Sequence, residues 1–209
     1  MTDAPHTSPS PVSGGSEGTS PRERTGRIVV ISAPSGAGKT SITHRLLEAH
    51  PEWCFAVSAT TRAMRPGEQD GADYYFLTEP AFRQKVADDD MVEWEEIYGN
   101  LYGTMRREVE RLLADQNIRR VLFDIDVKGA LSLRRAFPDD AVLIFIAPPS
   151  LEALEQRLTQ RKTETEEAVA RRLERAEMEM EHQRKFDYVV VNDQLDQAVR
   201  EVEGILSDE

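Results

Sequence analysis

Large apolar residues follow two rhythms along this chain. Between Arg27 and Ser32, Val121 and Asp124, Ala141 and Ile146, and Tyr188 and Val191 they run without interruption and are rich in β-branched types. Such runs are too short for an amphipathic helix and predict strands buried on both faces. Elsewhere the apolar positions recur at helical spacing. Lys39–His50 turns Ile42, Leu46, Leu47 and Ala49 inward and stops before Pro51, and Arg106–Asp115 and Lys128–Phe137 follow. Ser150–Arg161 opens on a capping pattern, Glu166–Arg184 sets Val169, Leu173, Ala176 and Met180 along one face, and Leu195–Leu206 closes the series. Buried strands alternating with helices predict an α/β fold with a parallel sheet covered on both faces.

One region breaks the alternation. From Phe55-Ala56-Val57 onward, Thr60-Thr61-Arg62, Arg65-Pro66-Gly67-Glu68 and Asp70-Gly71 supply turns. Tyr74–Leu77, Val92–Trp94 and Tyr98–Tyr102 read as short strands, and Glu79–Val86 as a short helix capped from Thr78. This predicts a small mixed-sheet subdomain, about residues 56–104, inserted into a core of about 26–55 and 105–209. Residues 1–25 are rich in Ser, Pro and Gly with almost no large apolar side chains. They cannot bury enough surface to offset their ordering entropy, which predicts disorder.

Composition narrows the classes. A chain of 209 residues suits one fairly large domain, and 39% hydrophobic residues plus 12 Gly approach the usual globular share. No apolar run is long enough to span a bilayer and no secretory signal order is visible, so the expectation is a cytoplasmic protein that does not enter membranes. The single cysteine, Cys54, can form neither an internal disulfide nor a Cys-based metal site, and is expected to be a small buried thiol. A net charge of −12 repels nucleic-acid polymers and anionic lipid. It leaves room for a small nucleotide, because local Arg clusters dominate at short range.

The strand Ile28–Ser32 runs into Ala33-Pro34-Ser35-Gly36-Ala37-Gly38-Lys39-Thr40 and then a helix. Strand, Gly-rich turn and helix N-terminus in that order make a phosphate-binding loop, with Ala33 where G-x-x-x-x-G-K-[ST] has its first Gly. Backbone N–H groups from Ser35 to Thr40 can wrap a phosphate chain, so Ala33 to Thr40 with Ser41 are the candidate triphosphate-binding residues. Lys39 reaches the β/γ-phosphates and the Thr40 hydroxyl suits Mg²⁺. Asp124, at the end of an apolar strand, is either a carboxylate near that metal, as a ligand or one step behind it, or a turn residue. The loop alone specifies only a nucleoside triphosphate. Asp126-Val127-Lys128-Gly129 is a weak GTPase match with no Asn-Lys-x-Asp following, and motor ATPases are usually larger, so a compact nucleotide or metabolite kinase leads.

The inserted region discriminates further. Ser58-Ala59-Thr60-Thr61-Arg62-Ala63-Met64-Arg65-Pro66-Gly67-Glu68, Gly71-Ala72-Asp73-Tyr74, Glu93 and Gly99-Asn100-Leu101-Tyr102-Gly103-Thr104 resemble guanylate kinase in content and order. The resemblance continues through Asp124-Ile125-Asp126, Ala147-Pro148-Pro149-Ser150, Thr163-Glu164-Thr165-Glu166-Glu167 and Val191-Asn192-Asp193, from about Arg27 to the C-terminus. It implies a P-loop core, an inserted GMP-binding subdomain and a helical lid at about 157–175. The implied reaction is Mg²⁺-assisted transfer of the γ-phosphoryl group of ATP to GMP or dGMP.

The resemblance also assigns residues. Arg62, Arg65, Tyr74 and Tyr102 take the monophosphate, a role that guanidinium forks and phenol donors suit chemically. Glu93, helped by Ser58, Thr104 and Asp126, reads guanine, whose N1–H and N2–H₂ donors a carboxylate accepts in pairs. Lys39, Arg62, Arg161 and Arg172 serve the transferring phosphates, and Asn192 contacts adenine. Gln160 and Lys162 depart from the Gly that many relatives carry around the lid arginine, and Arg157 reads as a helix-surface charge. Taken alone, Glu93 could be a strand-edge charge, Thr104 a cap and the Arg pair a solvated face. A non-catalytic module binding phosphorylated peptides is the alternative class, but Lys39, Thr40, Arg62, Arg65, Glu93 and Asp126 are all retained. A kinase for another monophosphate is disfavoured by Glu93. Oligomeric state is left open.

Overall fold

Two sheets organise the computed structural model, which describes residues 27–97, 99–159 and 166–208. In chain order the first elements are β1 (Ile28–Ser32), α1 (Lys39–Ala49), β2 (Trp53–Phe55), β3 (Ala59–Thr60), β4 (Tyr75–Phe76) and α2 (Glu79–Ala87). Next come β5 (Met91–Ile97), β6 (Asn100–Met105), α3 (Arg106–Ala114), β7 (Arg120–Asp124), α4 (Val127–Ala136) and β8 (Ala141–Ala147). The chain finishes with α5 (Leu151–Thr159), α6 (Glu166–Glu181) and its 3-10 continuation His182–Lys185, β9 (Tyr188–Val191) and α7 (Leu195–Asp208). The readings of residues 1–25 and of Gln160, Arg161 and Lys162 lie outside the described residues.

The main sheet is parallel, in the order β2-β7-β1-β8-β9. Alternation along β1 divides the core: Ile28 and Val30 pack with Val109, Leu112, Ala130 and Leu133 from α3 and α4. Val29 and Ile31 pack on the other side with Ile42 and Leu46 of α1 and Ala198, Val202 and Leu206 of α7. A strand apolar at every position is therefore satisfied on both faces, as the uninterrupted run predicted. Register brings Ile31 beside Asp124 and Ser32 beside Phe145, so β1, β7 and β8 deliver their C-terminal ends to one edge, where α/β sheets bind ligands.

The second sheet, β4-β3-β6-β5, is mixed and packs α2 through Phe82 over Ala59, Met91, Leu101 and Met105. Thr78 caps α2 by accepting from the Ala81 N–H at 3.4 Å.

Four expectations need correction. The main sheet has a fifth strand, β2, paired to β7 before Phe55-Ala56-Val57. It is a three-residue edge strand with Trp53 inside and Phe55 outside, too short to show a period. Thr60, read as part of a turn, lies in β3 between β4 and β6. Ala49 is exposed, since α1 turns away at its last residue. Finally, β9 is an edge strand whose Val189 and Val191 are 40% and 50% exposed, so it is buried on one face only.

Candidate active site

The loop after β1 is shaped by two glycines. Gly36 and Gly38 have φ of +92° and +96°, in the left-handed region that favours Gly. A Cβ on Gly38 would lie 2.2 Å from the Asn192 side-chain nitrogen. That nitrogen donates to the Ala37 carbonyl at 2.7 Å, while the Asn192 main chain accepts from Arg157 Nη2 at 2.9 Å. Asn192 is 5% exposed. Its side-chain amide braces the backbone of the loop at Ala37. Arg157, read as a surface charge, anchors the same junction.

Lys39, at the start of α1, is ion-paired with Asp124 and donates to the Ile125 carbonyl at 3.4 Å. The β1–β7 register accounts for this pairing, since it brings Asp124 level with the end of β1. Thr40 and Asp124 are hard oxygen donors of the kind Mg²⁺ takes. Among the described residues no group of three or more His, Cys, Asp or Glu could hold a metal ion.

From the loop a cleft of about 690 Å³ extends to the second sheet. Its walls include Ser35, Gly36, Gly38, Lys39, Thr40 and Ser41 at one end, and Ser58, Tyr74, Glu93 and Tyr102 at the other. Asp124, Asp126 and Arg172 also line it. Arg62, Arg65 and Thr104 are not part of this lining. Thr104 is 1% exposed and its hydroxyl donates to Glu93 Oε1 at 2.6 Å, orienting that carboxylate. Arg62 lies 5.4 Å from the Tyr74 ring and 5.7 Å from that of Phe76, and its fork is gripped by Glu68. Arg65 joins that turn through its backbone N–H, which donates to Glu68 Oε2 at 2.7 Å.

The far end of the cleft is acidic. Burial pushes the Glu93 carboxyl up to about 7, against the Thr104 hydrogen bond, and the charges of Asp126 and Glu95 add to the rise. Glu95 is also raised to about 7, by burial and by its hydrogen bond and repulsion with Asp126, with Arg175 and Lys128 opposing. Burial alone would push Asp126 up, but the hydrogen bonds from Glu95 and the Gly129 N–H, with the charges of Arg175 and Lys39, hold it below its ordinary value. Gly129 permits this packing, because a Cβ there would lie 2.9 Å from Glu93 Oε2.

Glu68, Glu95, Gly129 and Arg175 were not singled out from the sequence. Glu95 is two residues from Glu93 on one strand, and Arg175 one helical turn from Arg172, so period alone would have placed each beside a recognised site residue. Cys54, by contrast, has its thiol pushed up to about 11 by burial, in keeping with an inert thiol.

Residues 25–209 match the model of the family described as Guanylate kinase. A guanylate kinase of Salinibacter ruber is 54% identical over 175 residues, 83% of this chain and 92% of that protein. One of Chlorobaculum tepidum is 49% identical over 175 residues, 83% of this chain and 88% of that protein. The crystal structure of guanylate kinase from Anaplasma phagocytophilum superposes with a TM-score of 0.69 at 33% identity, covering 88% of this chain and 85% of that one. No helix among the described residues is long and apolar enough to cross a membrane.

Proposed function

Starting from a chain that belongs to the guanylate kinase family, we propose how its own residues divide the work of ATP-dependent phosphorylation of GMP to GDP. The observation that carries the reading is one cleft with Lys39 and Thr40 at one end and the Thr104-oriented Glu93 at the other. A triphosphate loop facing a base-reading carboxylate is a two-nucleotide site.

The loop from Ala33 to Ser41 wraps the donor phosphates with its N–H groups, held in shape by Asn192. Lys39 leaves Asp124 for the β/γ-phosphates, exchanging one anionic partner for another. The hydroxyl of Thr40, with Asp124 directly or through water, would hold Mg²⁺, which supplies charge neutralisation on the transferring phosphates. Ionised Glu93 accepts N1–H and N2–H₂ of guanine, assisted by Ser58 and Asp126. Adenine presents an acceptor at N1 and is rejected, a discrimination worth roughly 1–3 kcal/mol per paired contact. Tyr74, Tyr102, Arg62 and Arg65 bind the GMP phosphate. One of its oxygens attacks the γ-phosphorus in line and ADP leaves. That oxygen is already anionic, so no strong general base is required, and catalysis rests on positioning and charge compensation by Lys39, Arg161 and Arg172.

Residues of about 56–104 form the acceptor unit and about 157–175 the lid, and their closure excludes the water that would hydrolyse ATP. The reading extends to dGMP, because no base contact named above involves the ribose. ATP and guanine nucleotides as substrates favour action in the cytoplasm. A coupled ADP-release assay with GMP, dGMP, AMP, CMP and UMP tests it. Turnover is expected with GMP and dGMP at least tenfold above the rest, and comparable turnover with AMP overturns the base-reading assignment.

A further inference from the structure

Arg175 joins three parts of the chain that are distant in sequence. It lies on α6, and its Nε donates to Glu179 Oε1 at 2.8 Å, one turn further along the same helix. With the guanidinium braced in this way, Nη2 reaches Glu95 Oε2 of β5 at 3.3 Å and Asp126 Oδ2, just before α4, at 3.4 Å. Asp126 is thus held at both oxygens, because Oδ1 accepts from the Gly129 N–H at 2.8 Å as the cap of α4.

Charge explains why the second tether matters. Glu95 and Asp126 are hydrogen-bonded to each other, Glu93 is close enough to act on both, and Glu179 faces them from α6. The opposing cations are Arg175, Lys128 and, toward Asp126, Lys39, which is itself ion-paired with Asp124; Lys128 sits 3.5 Å from Glu95 Oε1 with its side chain 82% exposed. An exposed ammonium is strongly screened, whereas Arg175 is 32% exposed and makes hydrogen bonds in a fixed geometry. Without Arg175, Glu93, Glu95, Asp126 and Glu179 would share this corner with only the solvated Lys128 and the already paired Lys39 to oppose them, and Asp126 would lose the Arg175 contact at Oδ2.

We propose that Arg175 is a positioning residue of the acceptor-base site, holding Asp126 in register with Glu93 and tying α6 to the acceptor sheet. The inference rests on the reading that Glu93 and Asp126 face guanine. Because Arg175 acts through Asp126, its loss weakens the acceptor and not the donor. It also raises the carboxyl pKa values around it, so the acid limb of kcat/KM for GMP moves to higher pH. Glu93, Glu95, Asp126 and Glu179 are the carboxyls that feel this change, with Lys128 and Lys39 the remaining cations.

Steady-state kinetics on the full chain test the proposal, using Arg175→Ala, Arg175→Lys, Asp126→Asn and the Arg175→Ala/Asp126→Asn double variant, with thermal melts as a check on folding. Removing a hydrogen bond between charged groups predicts a rise in KM for GMP of about tenfold in Arg175→Ala, with KM for ATP within about twofold of wild type. Arg175→Lys keeps the charge and recovers most of the loss. In the Asp126→Asn background Arg175→Ala adds less than about twofold, because its partner is already altered. An unchanged KM for GMP, an equal rise for both substrates, or full additivity with Asp126→Asn overturns the proposal. Wild-type protein that does not phosphorylate GMP overturns the underlying reading instead, and is seen before any variant is made.

Discussion

Glu68 grips the end of Arg62, its two carboxylate oxygens accepting from Nη2 at 2.7 Å and Nη1 at 3.0 Å. The Ala63 carbonyl takes a further Nη1 hydrogen at 2.7 Å. Of five guanidinium donors this leaves Nε–H and the second Nη2–H, which together form the side-on edge of the fork. Tyr74, a wall of the cleft, has its ring 5.4 Å from the Arg62 guanidinium, so the fork lies beside the cleft. Glu68 therefore orients Arg62 for an anion without occupying the donors the anion needs.

Loss of Glu68 should accordingly weaken GMP binding. Glu68→Ala is expected to raise KM for GMP about five- to tenfold, comparable to losing a charge-assisted hydrogen bond, with KM for ATP unchanged. Glu68→Gln, which keeps one acceptor, should fall between. A KM for GMP that drops in Glu68→Ala would show that the carboxylate competes with the phosphate.

Glu93 links pH to both affinity and stability. Reading guanine requires the carboxylate, and its pKa of about 7 in the empty site means that GMP binding weakens as pH falls below 7. Stability runs the other way. The folded pKa lies above the ordinary carboxyl value of 4.5, so the native state holds the proton more tightly, and this contribution is lost as pH rises from about 4.5 through about 7. Glu93→Gln removes the buried charge while keeping an acceptor for Thr104. At pH 8 it should be more stable than wild type by about 1–3 kcal/mol, a rise of several degrees in Tm, and the gap should close near pH 5. The same variant should lose discrimination of GMP over AMP. Equal Tm differences at pH 8 and pH 5, or intact discrimination, would sink the assignment.

What the sequence made legible follows from what leaves a local pattern. The strands Ile28–Ser32 and Ala141–Ala147 are apolar throughout because helices cover both faces, so their burial could be read residue by residue. The Gly36–Thr40 loop is a contiguous motif, and its positive φ values follow from its glycines. Strand β2 left no pattern, because three residues at a sheet edge complete no period. The contact of Asn192 with Ala37 was not legible, because the two are 155 positions apart and only the fold brings them together. The acidic corner of Glu95, Asp126 and Arg175 was hidden for the same reason, its contacts spanning 80 and 49 positions.

Gly129 should act as a specificity position. Its missing side chain lets Glu93 Oε2 sit where a Cβ would be 2.9 Å away, and Asp126 Oδ1 would be 3.3 Å from the same Cβ. In the first turn of α4, Ala is the better helix former, so Gly129→Ala should preserve or slightly raise stability. The Glu93 carboxylate must shift, however, and with it the base contact. KM for GMP is expected to rise about tenfold with KM for ATP unaltered, a split that general misfolding does not produce. If Gly129→Ala binds GMP as well as wild type does, Glu93 has room to retreat and the close approach is incidental.

The Lys39–Asp124 pair gives the plainest test of the donor half. In the empty site both side chains are 20% exposed, so the ammonium is paired but reachable by water. Lys39→Ala leaves Asp124 without its cation at a position where solvent compensates, and the cost to stability should be no more than about 1 kcal/mol. Catalysis should suffer far more, because phosphoryl transfer depends on charge compensation at the β/γ-phosphates and the loop provides that positive charge only through Lys39. The expected outcome is no measurable ADP or GDP formation by a variant that melts cooperatively within a few degrees of wild type. A folded Lys39→Ala protein with near wild-type turnover would remove Lys39, and with it the loop, from the transfer step.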